Sequence, residues 1–300
     1  SAAPRVTKME GTDPVTAETA FPLTITDASR SSIVFGVTTN RPTTAVSWFL
    51  DGTPNGTATN TSAGTSWAFT WSLGAVSASA ATPAAGEALD GTYNVGAKGF
   101  DQFGSGGPDR WVQVTLNRRI PFAPTGLVAA RIAGTAQIVW AKAPERDVIG
   151  YRVVRGGTSG SDTTICDVDD SVHACTDASP PSSGTPRYSI KALDRAPGGA
   201  VREGQAAQAD ISFDGAVPAA PSNLTVTRSA TGATLQWTAS ATSGVTYQVY
   251  RDGQTLSDRF GSRTSATTFS DSDVTAAQHT YYVAAVGTAG ESEKTAGVTG

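Results

Sequence analysis

Apolar residues along this chain recur at every second position, in short runs broken by Gly, Pro, Asn, Asp and Ser. One run occurs three times, as Tyr93-Asn94-Val95-Gly96-Ala97, Tyr188-Ser189-Ile190-Lys191-Ala192 and Tyr281-Tyr282-Val283-Ala284-Ala285. Apolar positions two apart are the period of a half-buried strand. Tyr93 to Tyr188 is 95 positions and Tyr188 to Tyr281 is 93. The pattern therefore predicts three similar domains, each built around this strand. No run sustains the 3.6-residue period of an amphipathic helix. The Ala-rich stretch 75–85 carries no apolar stripe and reads as loop.

The first domain is expected over residues 1–119. Its predicted strands are 5–9, 32–37 and 45–50, the last ending at the tight-turn pair Asp51-Gly52. The Thr-, Asn- and Gly-rich run from Asn55 to Gly64 reads as a loop. Trp67, Phe69 and Trp71 then share one face of a strand, Asp90-Gly91 turns the chain into the Tyr93 strand, and 111–116 closes the domain. Two Pro-x-x-Pro junctions follow, Pro121 to Pro124 and Pro218 to Pro221. Proline fixes φ and disfavours helix before it, so both read as short, stiff linkers. They bound a second domain at 120–215, with strands at 127–131, 136–141, 150–155, 187–194 and 208–213. The third domain is 216–300, with strands at 224–228, 234–238, 246–251, 268–271, 280–287 and 295–299.

The second and third domains resemble fibronectin type III domains. Each has the Pro-x-x-Pro junction, a Trp on the second strand (Trp140, Trp237) and a Tyr-x-Val strand (Tyr151-Arg152-Val153, Tyr247-Gln248-Val249). Thr176-Asp177 or Ser270-Asp271 and the repeated Tyr strand follow in the same order. The first domain resembles bacterial immunoglobulin-like domains through Val46-Ser47-Trp48-Phe49-Leu50-Asp51-Gly52, the Trp67/Phe69/Trp71 strand, and Asp90-Gly91-Thr92-Tyr93 running on to Asp101-Gln102-Phe103-Gly104. It departs from that pattern in a long insertion at 72–89. The resemblance implies an all-β chain of three tandem Greek-key sandwiches. It also implies that Tyr93, Tyr188 and Tyr281 are tyrosine corners with hydroxyls tied to nearby backbone, and that Trp48, Trp140 and Trp237 are core anchors. The implied role is spacer, adhesion or assembly rather than catalysis, although a shared fold does not fix function.

Composition narrows the classes. The 300-residue chain has formal net charge −4 and only 16% charged residues, with no basic block. That argues against nucleic acid as a partner. No apolar run approaches the roughly 20 residues that span a bilayer. The start at Ser1 without Met reads as a removed signal or a cut chain, and the Thr-, Ser-, Gly- and Ala-rich composition, with Lys scarce beside Arg, suits a secreted bacterial protein. Asn55, Asn60 and Asn223 stand in Asn-x-Ser/Thr triplets that a eukaryotic secretory pathway could glycosylate.

Candidate chemistry is sparse. Cys166 and Cys175 are the two cysteines, and an even pair in a secreted chain points to a disulfide. A metal site using both thiolates and His173 lacks a fourth ligand. Asp167, Asp169 and Asp170 could ligate calcium or form a solvated acidic loop, as could Asp101 with Asp109. Trp67, Phe69 and Trp71 fit either a sandwich core or a sugar platform, with core preferred. Trp111 lies out of phase with Val112, Val114 and Leu116, and Tyr250 out of phase with Tyr247 and Val249. These two are the candidate exposed aromatics, for a ligand or a neighbouring domain. His279 reads as an exposed residue in the turn Ala276-Ala277-Gln278. Arg251-Asp252-Gly253 is not the order of an integrin-binding motif. No cofactor motif or catalytic signature is present.

The expectation is a non-enzymatic, extracellular or cell-surface structural module that acts as spacer or docking rod. Its partners would be a protein or a polysaccharide at the cell surface, with self-association in reserve. Two alternatives stay open: a subunit of a pilus or filament, and the carbohydrate-contacting accessory region of a polysaccharide-active enzyme.

Overall fold

The computed structural model describes residues 3–12, 21–77, 80–107, 109–156, 161–230, 232–272 and 278–300. Among the described residues nearly all regular secondary structure is β-strand, in four sheets. It divides into two compact units, one comprising residues 1–122, 143–149 and 193–205, the other residues 123–142, 150–192 and 206–300.

The first unit holds β1 (Val6–Thr12), β2 (Leu23–Ile25), β3 (Ser32–Leu50), β4 (Thr53–Ser72), β5 (Gly91–Phe100) and β6 (Arg110–Leu116). They form one six-stranded sheet in the order β1-β3-β5-β6-β2, with β4 also on β3. The sheet makes two layers because β3 and β4 each serve both. The first half of β3 pairs with β1 and with the end of β4, and its second half pairs with β5 and the start of β4. Register shifts at Thr38/Thr43 and Thr43/Ala45 mark the crossing, the place where strands that change layer carry bulges. Ile33, Phe35 and Val37 from one half thus meet Val46 and Trp48 from the other in a single core with Phe69, Trp71, Val95 and Leu116.

The predicted loop from Asn55 to Gly64 is instead part of β4. Residues 53–57 are exposed, so no apolar alternation betrays the strand. What makes it a strand is the second half of β3, whose residues 45–50 pair with 53–59 across the turn. Asp51 (φ 50°) and Gly52 (φ 84°) are the two-residue connection, in the left-handed backbone that tight hairpins require. The stretch at 75–77 and 80–85 is neither helix nor strand.

Charged groups are buried in this unit, among them Arg118 and Arg119. The Asp90 carboxylate accepts the backbone N–H of Arg118 (2.5 Å) and Arg119 (2.9 Å). Arg118, its side chain fully enclosed, also reaches the carbonyls of Arg30, Gly74 and Ala88. Arg119 lies 3.3 Å above the Phe122 ring, and Glu145 accepts the N–H of Phe122. Arg202 joins Asp194 to Asn117 Oδ1 (2.7 Å) and the Arg119 carbonyl. A buried charge must be paired or it neutralises. Asp147 is the weakly served member of the group. Among the described residues nothing hydrogen-bonds its buried Oδ2. Burial, together with the carboxylates of Asp90, Asp194 and Glu145, raises its pKa to about 7.

The second unit carries β7 (Val128–Ile132), β8 (Thr135–Val139), β9 (Gly150–Arg155), β10 (Thr163–Asp169) and β11 (Ala174–Asp177). β12 (Arg187–Arg195) and β13 (Val201–Asp210) have residues in both units. Then come β14 (Ser222–Ser229), β15 (Gly232–Thr238), β16 (Thr246–Arg251), β17 (Arg259–Thr264), β18 (Thr268–Asp271), β19 (Thr280–Gly287), β20 (Gly290–Lys294) and β21 (Val298–Thr299). Their sheets run β10-β9-β12-β13, β14-β15-β18, and β11-β8-β7-β20-β19-β16-β17 with β21 on β19. Leu224, Leu235 and Trp237 of the three-stranded sheet meet Tyr247, Val249, Tyr281 and Val283 of the largest in one core, which makes a sandwich. β10 and β11, which carry the cysteines, and β17 and β20 are absent from the sequence pattern because polar residues break their apolar alternation. The closing strand expected at 208–213 lies earlier, at Val201–Asp210.

The largest sheet is continuous from β11 to β17 through one parallel pairing of β7 with β20, Ile132 opposite Glu291. Around it the Ala133 N–H donates to the Glu291 carbonyl (2.8 Å), and Arg131 Nη1 donates to the Gly215 carbonyl (2.9 Å). Ile132, Val139 and Leu256 pack as a small cluster alongside.

Because Asp147 holds its proton more tightly folded than unfolded, its contribution to stability is full below the unfolded-chain pKa near 4 and is lost as pH rises toward about 7. Asp147→Asn should therefore raise the melting midpoint of the first unit more at about pH 7.5 than at about pH 4.5. Equal changes at the two pH values would contradict this.

Candidate functional site

Trp111 lies on the outward face of β3, β5 and β6, partly open to solvent, as Phe103 also is in the loop after β5. Phe49 pairs with Gly96, and Gly96 with Trp111, so the three stand in one row across the strands. Glycine in the middle is a requirement of close approach. A Cβ added there would sit 2.6 Å from Cε3 and Cζ3 of Trp111 and 2.8 Å from its Cδ2. Those ring atoms lie almost equidistant from that point, so the indole rests face-on against the backbone. Phe49 leans on it with ring centres 6.1 Å apart and planes at 44°. Trp111 nevertheless stays 42% exposed, against 8% for Trp48 on the inward face.

Polar groups rim this ring. Asn94 pairs with Gln113 on the same outward face, and both are exposed. Asp51 Oδ1 accepts the Asn94 N–H at 2.9 Å, and Arg146 Nη1 donates to Asp51 Oδ2 at 2.5 Å. The Arg146 guanidinium is held 4.2 Å over the Tyr93 ring. Asp51, Gly52, Asn94, Trp111 and Arg146 together line an open depression. The arrangement offers one flat apolar face, amide donors and acceptors, and a carboxylate and guanidinium that neutralise each other. It offers no nucleophile poised beside a base.

The other sequence candidates fall elsewhere. Tyr250 is fully buried, not exposed. Its hydroxyl donates to Glu291, which Arg259 also contacts, and Lys294 lies 4.3 Å from its ring. Burial, and then the Glu291 charge, push its pKa up. Strand phase correctly separates the two faces of β16, but residues 247–250 are buried on both, which periodicity cannot show. His279 is only 15% exposed, with Nδ1 2.5 Å from Asp252 and its ring edge-on to Tyr281. Residues 276 and 277 of the turn expected before it lie outside the described residues.

Cys166 and Cys175 form a disulfide between β10 and β11, strands of different sheets. The acids around it are engaged locally. Asp167 takes a bidentate bond from Arg152 (3.0 and 2.6 Å), Asp169 caps the Ser171 N–H (3.0 Å), and Asp170 faces Lys142 at 3.8 Å. Asp101 closes its own turn through the N–H groups of Phe103 and Ser105, and Asp109 faces Lys98. Among the described residues no three His, Cys, Asp or Glu side chains gather as metal ligands.

Trp48, Trp140 and Trp237 are buried against Phe69, Tyr151 and Tyr247 respectively. Phe69 and Trp71 are buried, and Trp67 packs partly covered against the same core. The three repeated tyrosines are buried but tied differently. Tyr93 donates to the Leu89 carbonyl at 2.6 Å, the backbone acceptor expected. Tyr188 and Tyr281 donate instead to the carboxylates of Asp177 (2.8 Å) and Asp271 (2.7 Å). Each of those acids also binds an arginine, Arg155 and Arg251. Burial and the neighbouring carboxylate raise both tyrosine pKa values. The signal was in the sequence, in the repeated Thr-Asp and Ser-Asp pairs, but a carboxylate acceptor becomes visible only when β11 and β18 lie beside the tyrosine strands.

No family model matches this sequence, and no curated protein matches it. Among solved structures, the FN1–FN3 domains of chicken CNTN1 are similar over 99% of this chain and 98% of that one, at 11% identity and TM-score 0.43. A two-domain fibronectin type III segment of chicken tenascin is similar over 59% of this chain and 97% of that one, at 15% identity and TM-score 0.27.

Tyr281→Phe should lower stability by about 1–2 kcal/mol, because it takes a charged-group hydrogen bond from the buried Asp271. An unchanged melting midpoint would refute that role. Reduction of Cys166–Cys175, which closes a loop of sequence separation 9, should cost the second unit on the order of 2.5 kcal/mol in the chain-entropy model. The midpoint of the first unit should not move.

Proposed function

We propose that this chain is a non-catalytic structural and docking module of a secreted or cell-surface bacterial protein. In this reading residues 1–119 are immunoglobulin-like, and 120–215 and 216–300 are fibronectin type III-like. The observation that carries it is the single sheet running from β11 to β17, which joins two tyrosine-fastened repeats through β7 and β20. A module that must hold a fixed geometry gains from such a junction, because a shared ladder and an Arg131 clamp on Gly215 leave few free torsions to absorb a bend. A floppy tether would serve a spacer poorly. The disulfide supports an oxidising compartment. The partner is then a protein or a polysaccharide at the cell surface.

Amide relaxation of the full chain tests the junction. Residues 123–192 and 216–300 should share one rotational correlation time. Gly290→Val, whose Cβ would lie 2.7 Å from the Arg131 carbonyl, should separate them. Independent tumbling in the wild type would overturn the spacer reading.

A further inference from the structure

We propose that the outward face of β3, β5 and β6 around Trp111 is a docking site for a neutral pyranose ring of a polysaccharide. The proposal rests on the docking role proposed above and names the chemistry of one partner. A pyranose presents two kinds of surface, a patch of axial C–H groups and an edge of hydroxyls. The C–H patch needs a flat apolar ring, whose negatively charged face attracts the slightly positive C–H groups. Trp111 supplies it, with one ring face sealed against Gly96 and 42% of the residue left open. Because the indole is already immobilised by Gly96 and Phe49, binding costs little further side-chain ordering.

The hydroxyl edge needs donors and acceptors together. Asn94 and Gln113 stand opposite each other beside the ring, and Asp51 and Arg146 extend the same rim. Two amides give both kinds of group. The charge balance selects the ligand. Arg146 is held by Asp51 at 2.5 Å, so the rim is neutral and favours an uncharged sugar over a uronic acid or a phosphate. A protein partner fits less well, since stable protein interfaces centre on several clustered apolar anchors, and here one exposed indole with the half-buried Phe49 beside it is edged by polar groups.

The simpler role for Trp111 is to cover Gly96 in the sheet. That role predicts a stability loss on truncation but no ligand and no effect from the rim. The test is affinity electrophoresis of the full chain in native gels containing hydroxyethylcellulose, xylan, galactomannan, glycol chitin or, as the charged control, polygalacturonate. The wild type should be retarded in at least one neutral gel and not in polygalacturonate. Trp111→Ala and the double exchange Asn94→Ala/Gln113→Ala should each weaken retardation roughly tenfold or more. The double variant alters exposed side chains only and keeps the wild-type melting midpoint, so its loss cannot be a folding defect. Trp111→Phe, which keeps a ring over Gly96, should recover part of the binding. Absence of retardation in every neutral gel, retardation untouched by either variant, or preference for polygalacturonate overturns the site. None of these outcomes bears on the junction of β7 with β20, so the spacer reading would stand or fall by its own measurement.

Discussion

A carboxylate removed from water must find positive or hydrogen-bonding partners, and much of this structure is arranged around that requirement. Asp90, Asp177, Asp271 and Glu291 are all buried, at 1–4% exposure. Asp90 holds two backbone N–H groups and Arg118 at the exit of β6. Asp177 and Asp271 each hold one tyrosine hydroxyl and one arginine. Glu291 holds Tyr250 and Arg259 beside the pairing of β7 with β20. Breaking any one of these strands a charge in the interior, a larger cost than the net value of the pair itself. These positions therefore specify geometry more than they add stability.

That arrangement separates the parts of the chain that hold shape from an outward face that packing leaves open. The inward faces and buried ion pairs are spent on the fold. The outward row of Phe49, Gly96 and Trp111 lies off the core, and there an indole backed by a glycine stays open to solvent beside unburied amides. Function is best sought where local structure departs from what packing alone demands.

Much of the fold was legible along the chain. Strand phase located Tyr93, Tyr188 and Tyr281, and it placed Trp111 opposite Val112, Val114 and Leu116. These are statements about one strand and its two faces, and alternation carries them completely. The same logic failed for Tyr250, because phase says that two residues face opposite ways and not whether anything covers the second face. It failed for 55–64, because an exposed polar edge strand has no apolar alternation and exists only as the partner of β3.

Reading along the chain was enough to show that it is β-structured, where its repeated strands lie, and which cysteines could pair. Those features follow from local period, turn chemistry and composition. Only long-range pairing decided that β3 and β4 run through two layers, that Arg118 and Arg119 are interior residues, and that one sheet passes from β8 to β16 through β7 and β20. It also decided that Asp177 and Asp271, and not the backbone, receive the tyrosine hydroxyls. Each of these depends on partners distant in sequence, and the energy of a buried charge or an unpaired strand edge is set by what the rest of the chain brings against it.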